Sequence, residues 1–204
     1  MFQIRKFALF STLFLFFSFV NAQTHAAKKI LDDLQLRYKQ NKNVYFEYQY
    51  NKGESNFFKG KLHVMGNKYF LTSNENNQIF DGKKLYTILK NEKEITISSP
   101  KKESIINPIN ILNSYKEGYN YNIIKKENEL TYIKLTPIDK NNTSYYELII
   151  NTKKKELTQI KEFKEKKQIL KVEITKHQKN LALNSSIFVF DKNKYKDYYI
   201  TNLD

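Results

Sequence analysis

The sequence predicts a mainly β, single-domain protein with a few α-helices, built as an antiparallel meander. Three observations predict it. A leading segment with helical spacing gives way at Val44 to a period of two; a long series of short apolar-aromatic runs follows, separated by polar connectors; and Asp81-Gly82 joins two such runs. Short strands on short turns indicate antiparallel pairing, whereas a parallel sheet needs a helix between successive strands.

The chain opens with Arg5 and Lys6, an apolar run over 7–20 and a small-residue end at Val20-Asn21-Ala22, which is the pattern of a secretory signal peptide cleaved after Ala22. The apolar run falls short of the ~20 residues that a spanning helix needs, so a retained anchor is the weaker reading. The expected organisation is a leader over 1–22 and one exported, soluble domain over 23–204. With no Cys anywhere, there is no thiol to carry an acyl anchor and no disulfide to use in an oxidising compartment. Stability must come from burial, for which this length suffices.

Ala27, Ile30, Leu31, Leu34 and Tyr38 recur at intervals of three and four and predict one face of an amphipathic helix over 26–38. From Val44, the residues Val44, Phe46, Tyr48 and Tyr50 alternate with Tyr45, Glu47, Gln49 and Asn51, as on the two sides of a strand. Further strands are expected over 57–64, 68–72, 78–80, 84–90, 94–98, 119–125, 130–136, 145–151, 157–163, 168–177 and 187–190. Asp81-Gly82 supplies the backbone freedom of a tight hairpin between Ile79-Phe80 and Leu85-Tyr86. Between strands, Asn107 has the character of an N-cap and Pro108 that of a first helical residue, with Ile109, Leu112 and Tyr115 sharing a face. Such an inserted helix plugs one end of a barrel or covers an apolar mouth; its pattern fits both.

The formal net charge is +14, or +12 once Arg5 and Lys6 leave with the leader. A basic balance attracts nucleic acid or an anionic membrane face. The mature part, however, holds a single Arg, Arg37, and is rich in Lys, Asn and Ile together. Coding bias explains that more simply, since readers of phosphate and base edges recruit the forked donors of Arg. Lys153-Lys154-Lys155 and Lys164-Glu165-Lys166-Lys167 fall where solvated hairpin tips are expected.

Catalytic equipment is sparse. His25, His63 and His177 have no metal-like spacing and read as surface residues; five glycines form no phosphate loop, and no Gly-x-Ser-x-Gly elbow occurs. The sequence therefore predicts no enzyme, no cofactor and no metal. Alternating Tyr, Phe, Ile and Leu could line a ligand hollow or simply fill a core.

The chain resembles the LolA family of outer-membrane lipoprotein carriers, particularly its Bacteroidetes versions. The resemblance rests on Lys28-Lys29-Ile30-Leu31-Asp32-Asp33-Leu34 with Tyr38, on Phe58-Lys59-Gly60-Lys61-Leu62-His63-Val64 leading to Lys68-Tyr69, and on Asp81-Gly82-Lys83-Lys84-Leu85-Tyr86. It continues through Asn107-Pro108 with Ile111-Leu112, Leu135-Thr136-Pro137, and Phe188-Val189-Phe190 before Tyr195. It implies an open, unclosed antiparallel half β-barrel covered by a helical lid, to which the Pro108 helix would belong. It also implies a monomeric periplasmic carrier that takes acylated lipoproteins from an inner-membrane ABC transporter and delivers them to an outer-membrane acceptor, with no nucleic-acid partner. A sensor or protein-interaction module on the same scaffold is the alternative. Carried over by position, the lipid-binding residues would be Leu31, Leu34, Phe58, Leu62, Val64, Tyr69, Leu71, Leu85, Ile109, Leu112 and Leu135. In proteobacterial members an Arg after the strand matching Phe58 to Val64 latches the lid. Here Met65-Gly66-Asn67 stands in that place, and the pattern does not select Lys68 or Arg37 as its substitute.

Overall fold

The computed structural model describes residues 23–53, 56–99 and 108–204; the leader, the Asn107 cap and Glu54 lie outside these, as do the side chains of Pro108 and Ile109. Helix α1 occupies 23–39 and buries Ala27, Leu31, Leu34 and Tyr38, the stripe its spacing predicts. Its last turn ends where Gln40 N–H donates to Leu36 O at 3.0 Å. Asn41 Nδ2 donates to Arg37 O at 2.5 Å, satisfying a carbonyl that the helix leaves open.

The strands are β1 (Val44–Asn51), β2 (Phe58–Met65), β3 (Lys68–Ser73), β4 (Asn77–Phe80), β5 (Leu85–Leu89) and β6 (Glu94–Ser98). Helix α2 (Pro108–Gly118) follows, then β7 (Tyr119–Glu127), β8 (Leu130–Pro137), β9 (Ser144–Asn151), β10 (Glu156–Lys164), β11 (Lys167–Lys179) and β12 (Tyr199–Asn202). All twelve form one sheet in the order β12-β6-β5-β4-β3-β2-β1-β11-β10-β9-β8-β7. Sequence neighbours pair antiparallel within β1–β6 and within β7–β11, the first strand sits in the middle against β11, and β7 and β12 are free edges, so the sheet is open.

Register irregularities explain its curvature. They occur in the ladders β1/β11, β10/β11, β9/β10 and β7/β8, and each bulge bends its strand and adds twist. Between them the inner face keeps one parity: Phe46 pairs with Leu62, Leu62 with Leu71, Ile160 with Leu148, and Leu148 with Ile133. These residues form one core with the stripes of α1 and α2. The hairpin at Asp81 also forms, with Phe80 opposite Leu85. Gly82 supplies the left-handed φ of 101°. Asp81 contributes its carboxylate, whose Oδ1 accepts from Lys83 N and Lys84 N at 2.8 Å each, an Asx turn.

Two expectations are corrected here. Residues 187–190 do not form a strand: Ser185–Phe188 is a 3-10 turn capped by Asn184, whose side chain accepts from Ser186 N. The Asn-Ser-Ser start competes for local hydrogen bonds, and Phe188 is fully buried while Val189 is exposed. The meander is also not wholly antiparallel, because β12 returns to pair with β6 in parallel. This C-terminal segment covers the outer face of β3 to β6 with a second core, in which Ile79, Ile88 and Ile95 meet Phe190, Tyr195 and Tyr198. Phe190 stacks on Tyr86 at 4.5 Å between centroids.

Gly60 marks a close approach on the inner face. A Cβ there would lie 2.3 Å from Tyr48 Cζ, because the Tyr48 ring lies across the glycine that it faces on β2, an arrangement that shields the bare backbone. Gly60→Val is expected to destabilise the protein by about 1–3 kcal/mol through overpacking. Urea unfolding monitored by tyrosine fluorescence tests this; an unchanged midpoint would show that Tyr48 moves aside freely.

Candidate functional site

The concave face of the sheet, with α1 and α2 laid across it, is the candidate site. Because α1 leads into β1 and α2 lies between β6 and β7, the two helices cross the hollow in opposite directions. From α2, Ile111, Leu112 and Tyr115 point into the core, beside Leu31 and Leu34 of α1.

Polar contacts tie the helices to each other. The Asp32 carboxylate accepts from Tyr115 Oη at 2.5 Å and pairs with Lys28 Nζ and Lys116 Nζ at 2.6 Å each. Partial burial works against its charge, but the hydrogen bonds from Lys116, Lys28 and Tyr115 prevail and hold the carboxyl far below the usual range. Burial, then the Asp32 hydrogen bond, pushes the Tyr115 hydroxyl upward. One turn on, Gln35 Nε2 donates to Leu112 O at 2.6 Å.

Two ties from α1 to the sheet are longer. Tyr38 Oη accepts from Leu157 N at 3.4 Å, and Arg37 lies 3.9 Å from Glu156. Arg37 thus takes up a carboxylate on β10, not the backbone carbonyls of a family-type latch, and Lys68 forms no salt bridge among the described residues.

His177 adjoins this anchor. Its expected surface position is corrected: the side chain is only 6% exposed. Pairing with Phe46 turns it inward, where it stacks on Phe46 at 4.9 Å and meets the edge of Tyr38 at 5.4 Å. Nδ1 is 3.2 Å from Glu156 Oε1, but neither ring nitrogen is aligned for a hydrogen bond. Burial lowers the imidazole pKa; Glu156 opposes that shift, while Lys179 and Arg37 reinforce it. His63, also read as a surface residue, is partly buried on the other face against Tyr45; burial lowers its pKa as well.

A cavity of about 380 Å³ opens at the end of the hollow where α1 meets β1, a size typical of small-ligand pockets. Its floor is Tyr38, Val44, Val64 and Leu112, and its rim carries Gln35, Lys39, Asn67 and Asn113. Of the residues named from sequence, Leu31, Leu34, Leu62, Val64, Tyr69, Leu71, Leu112 and Leu135 belong to the buried inner core, with Phe58 and Leu85 packed against it. Only Val64 and Leu112 reach the cavity, and the Ile109 side chain lies outside the described residues. Sequence reasoning missed Val44, although its alternation with Tyr45 had already placed it on the Phe46 face. It also missed His177, for which no local signal exists.

A family model described as outer membrane lipoprotein carrier protein LolA matches residues 66–191. No curated protein matches the chain. Among solved structures, an uncharacterized conserved protein from Thermus thermophilus shares 10% identity at a TM-score of 0.60, over 86% of this chain and 98% of that one. A LolA superfamily protein from Nitrosomonas europaea, NE2245, shares 11% identity at a TM-score of 0.44, over 81% and 98%. MucB in the MucA/MucB complex of Pseudomonas aeruginosa shares 10% identity at 0.44, over 80% of this chain and 60% of that one.

Two outcomes are expected from the polar ties. Asp32→Ala should cost about 1 kcal/mol and speed amide exchange in α1 and α2 together; protection lost from one helix alone would contradict their pairing. Asp32 has a depressed folded pKa, so its contribution is present above the ordinary carboxylate range and is lost as pH falls below that range through the depressed folded value. His177 has a folded pKa below its unfolded one, so its contribution is complete above the unfolded value and declines as pH falls below it. Melting temperature should therefore drop between about pH 7.5 and pH 5.5, and His177→Phe should flatten that drop. An equal slope in the variant would remove His177 as its cause.

Proposed function

The chain belongs to the LolA family of outer membrane lipoprotein carriers, and we propose that it binds lipoprotein acyl chains in the hollow beneath α1 and α2. On this reading the leader directs export, and the mature chain is a periplasmic carrier, not an enzyme. It receives cargo from an inner-membrane ATP-driven release complex and passes it to the outer membrane. The observation that carries the reading is the cover itself: two helices bound by Asp32 and Gln35 to each other, and to the sheet mainly through apolar side chains.

Magnitudes agree with exchange of cover for cargo. The cover seals the hollow with six large side chains: Leu31, Leu34, Tyr38, Ile111, Leu112 and Tyr115. At roughly 1.5–3 kcal/mol each, their burial is worth on the order of 10 kcal/mol. An acyl chain of about fourteen methylenes brings about 11 kcal/mol at ~0.8 kcal/mol per CH₂. One chain can therefore replace the cover in the hollow, and the length of the described Tyr38 and Arg37 ties to the sheet, 3.4 Å and 3.9 Å, suits a reversible exchange.

The test is titration with a fluorescent triacylated lipopeptide and its deacylated counterpart. Saturable binding of the acylated form alone is expected. Asn67→Cys in the β2–β3 turn and Asn113→Cys on α2, both lining the mouth, can be bridged by bifunctional thiol reagents of graded length in this cysteine-free chain. The bridge should abolish binding, and its cleavage should restore it. Equal affinity for both peptides would instead support a protein-interaction module; binding of neither would end the carrier reading.

A further inference from the structure

Charge is distributed unequally between the two ends of the half-barrel. In an antiparallel meander alternate turns share an end, so the α1–β1 junction, the β2–β3, β4–β5, β7–β8 and β9–β10 turns and the exit of β11 lie together. Contacts confirm this: Thr152 N–H donates to Glu129 O, Asn180 N–H to Asn43 O, and Asn67 Nδ2 to Gly82 O. This is also the end where the 380 Å³ cavity opens.

The carboxylates in these turns are already matched. Lys125 takes Glu127 at 2.6 Å, Lys153 takes Glu129 at 2.8 Å, and Lys84 takes Asp204. Asp81 is held by backbone amides of its own turn. Six exposed lysines remain at this end, Lys39, Lys42, Lys83, Lys126, Lys154 and Lys155, and none forms a salt bridge among the described residues. The opposite end also carries exposed lysines outside any salt bridge among the described residues, Lys90, Lys140, Lys164, Lys166 and Lys167. There, however, each group shares its turn with a carboxylate likewise outside any salt bridge, Glu92, Asp139 or Glu165, while Glu75 is paired with Lys52.

We propose that the mouth end is a docking face for a bilayer rich in anionic headgroups, which it meets with the cavity opening turned toward the lipid. Flexible ammonium groups on long stems suit a diffuse, laterally mobile layer of phosphates; base readout would call for forked Arg donors. Screening limits the attraction to about 8 Å at physiological ionic strength, so the lysines act only when the mouth is already close to the surface. Leu36, 56% exposed near the end of α1, supplies an apolar contact on that side. The purpose of the docking rests on the carrier reading, whereas the charge pattern does not.

Flotation of the protein, purified from the periplasm of an expression host, with vesicles tests the proposal. It should bind vesicles containing about one-third phosphatidylglycerol, ignore pure phosphatidylcholine, and dissociate as salt rises from about 0.05 M to about 0.5 M. Reversing Lys126, Lys154 and Lys155 to Glu should lower partitioning about tenfold or more. Reversing Lys164, Lys166 and Lys167 to Glu, at the other end, should leave it nearly unchanged at the same net charge. Equal losses in both triples would reduce the effect to net charge and overturn the proposal. So would failure to bind anionic vesicles, or tighter binding to polyglutamate or to oligonucleotides. Lipopeptide affinity, measured in the same variants without vesicles, separates the two readings: it should survive the mouth-end triple, and its absence in the parent protein would count against carriage alone.

Discussion

An unclosed sheet with one apolar face must cover that face or expose it to water, and the rest of this structure follows from that constraint. Closure into a barrel would let the strands fill their own interior. Here β7 and β12 never meet, so the inner row from Phe46 through Leu62 to Leu71 needs an outside partner. The stripes of α1 and α2 are that partner. A cover held largely by non-directional burial is stable in water, and on the carrier reading the same burial makes it replaceable by a comparably apolar ligand.

The outer face shows the same economy on a smaller scale. Beneath the C-terminal segment, Ile79, Ile88 and Ile95 are sealed by aromatic rings instead of a helix, and the return of β12 occupies the free edge of β6. Unpaired edges invite association with other chains, and β12 shields this one with a four-residue strand whose Tyr199 is exposed. The two covers differ in kind: the outer one stacks rings at centroid distances of 4.5–5.5 Å, while the inner one leaves a cavity at its end.

Period and turn chemistry made much of this legible in the sequence. Alternation placed Val44, Phe46, Tyr48 and Tyr50 on one side of a strand before any partner was known, and Pro108 marked the start of α2. What stayed hidden depends on distant pairings. His177 is buried because β11 places it opposite Phe46, more than a hundred residues earlier, and Arg37 gains a role only when β10 brings Glu156 beneath it. Residues 187–190, Ile187-Phe188-Val189-Phe190, are a short apolar run as a buried strand would be, but such a run cannot show that Asn184 caps a turn there instead. The bulges that curve the sheet leave no residue-type signature at all. Single apolar positions could therefore be read as inward, whereas the cavity, which needs α1, β1, β2 and α2 at once, could not.

The junction of α2 with β7 has a mechanical consequence. The helix ends at Gly118 and the strand begins at Tyr119 with no loop between them, and Gly118 O accepts from Ile138 N–H at 3.0 Å. A helix joined this way cannot swing on slack chain. Rotation must be absorbed by a few backbone torsions at Gly118 and by the edge strand beside it, so the joint behaves as a torsion spring. Any displacement of α2 on the carrier reading would therefore load β7, the edge strand to which it is joined.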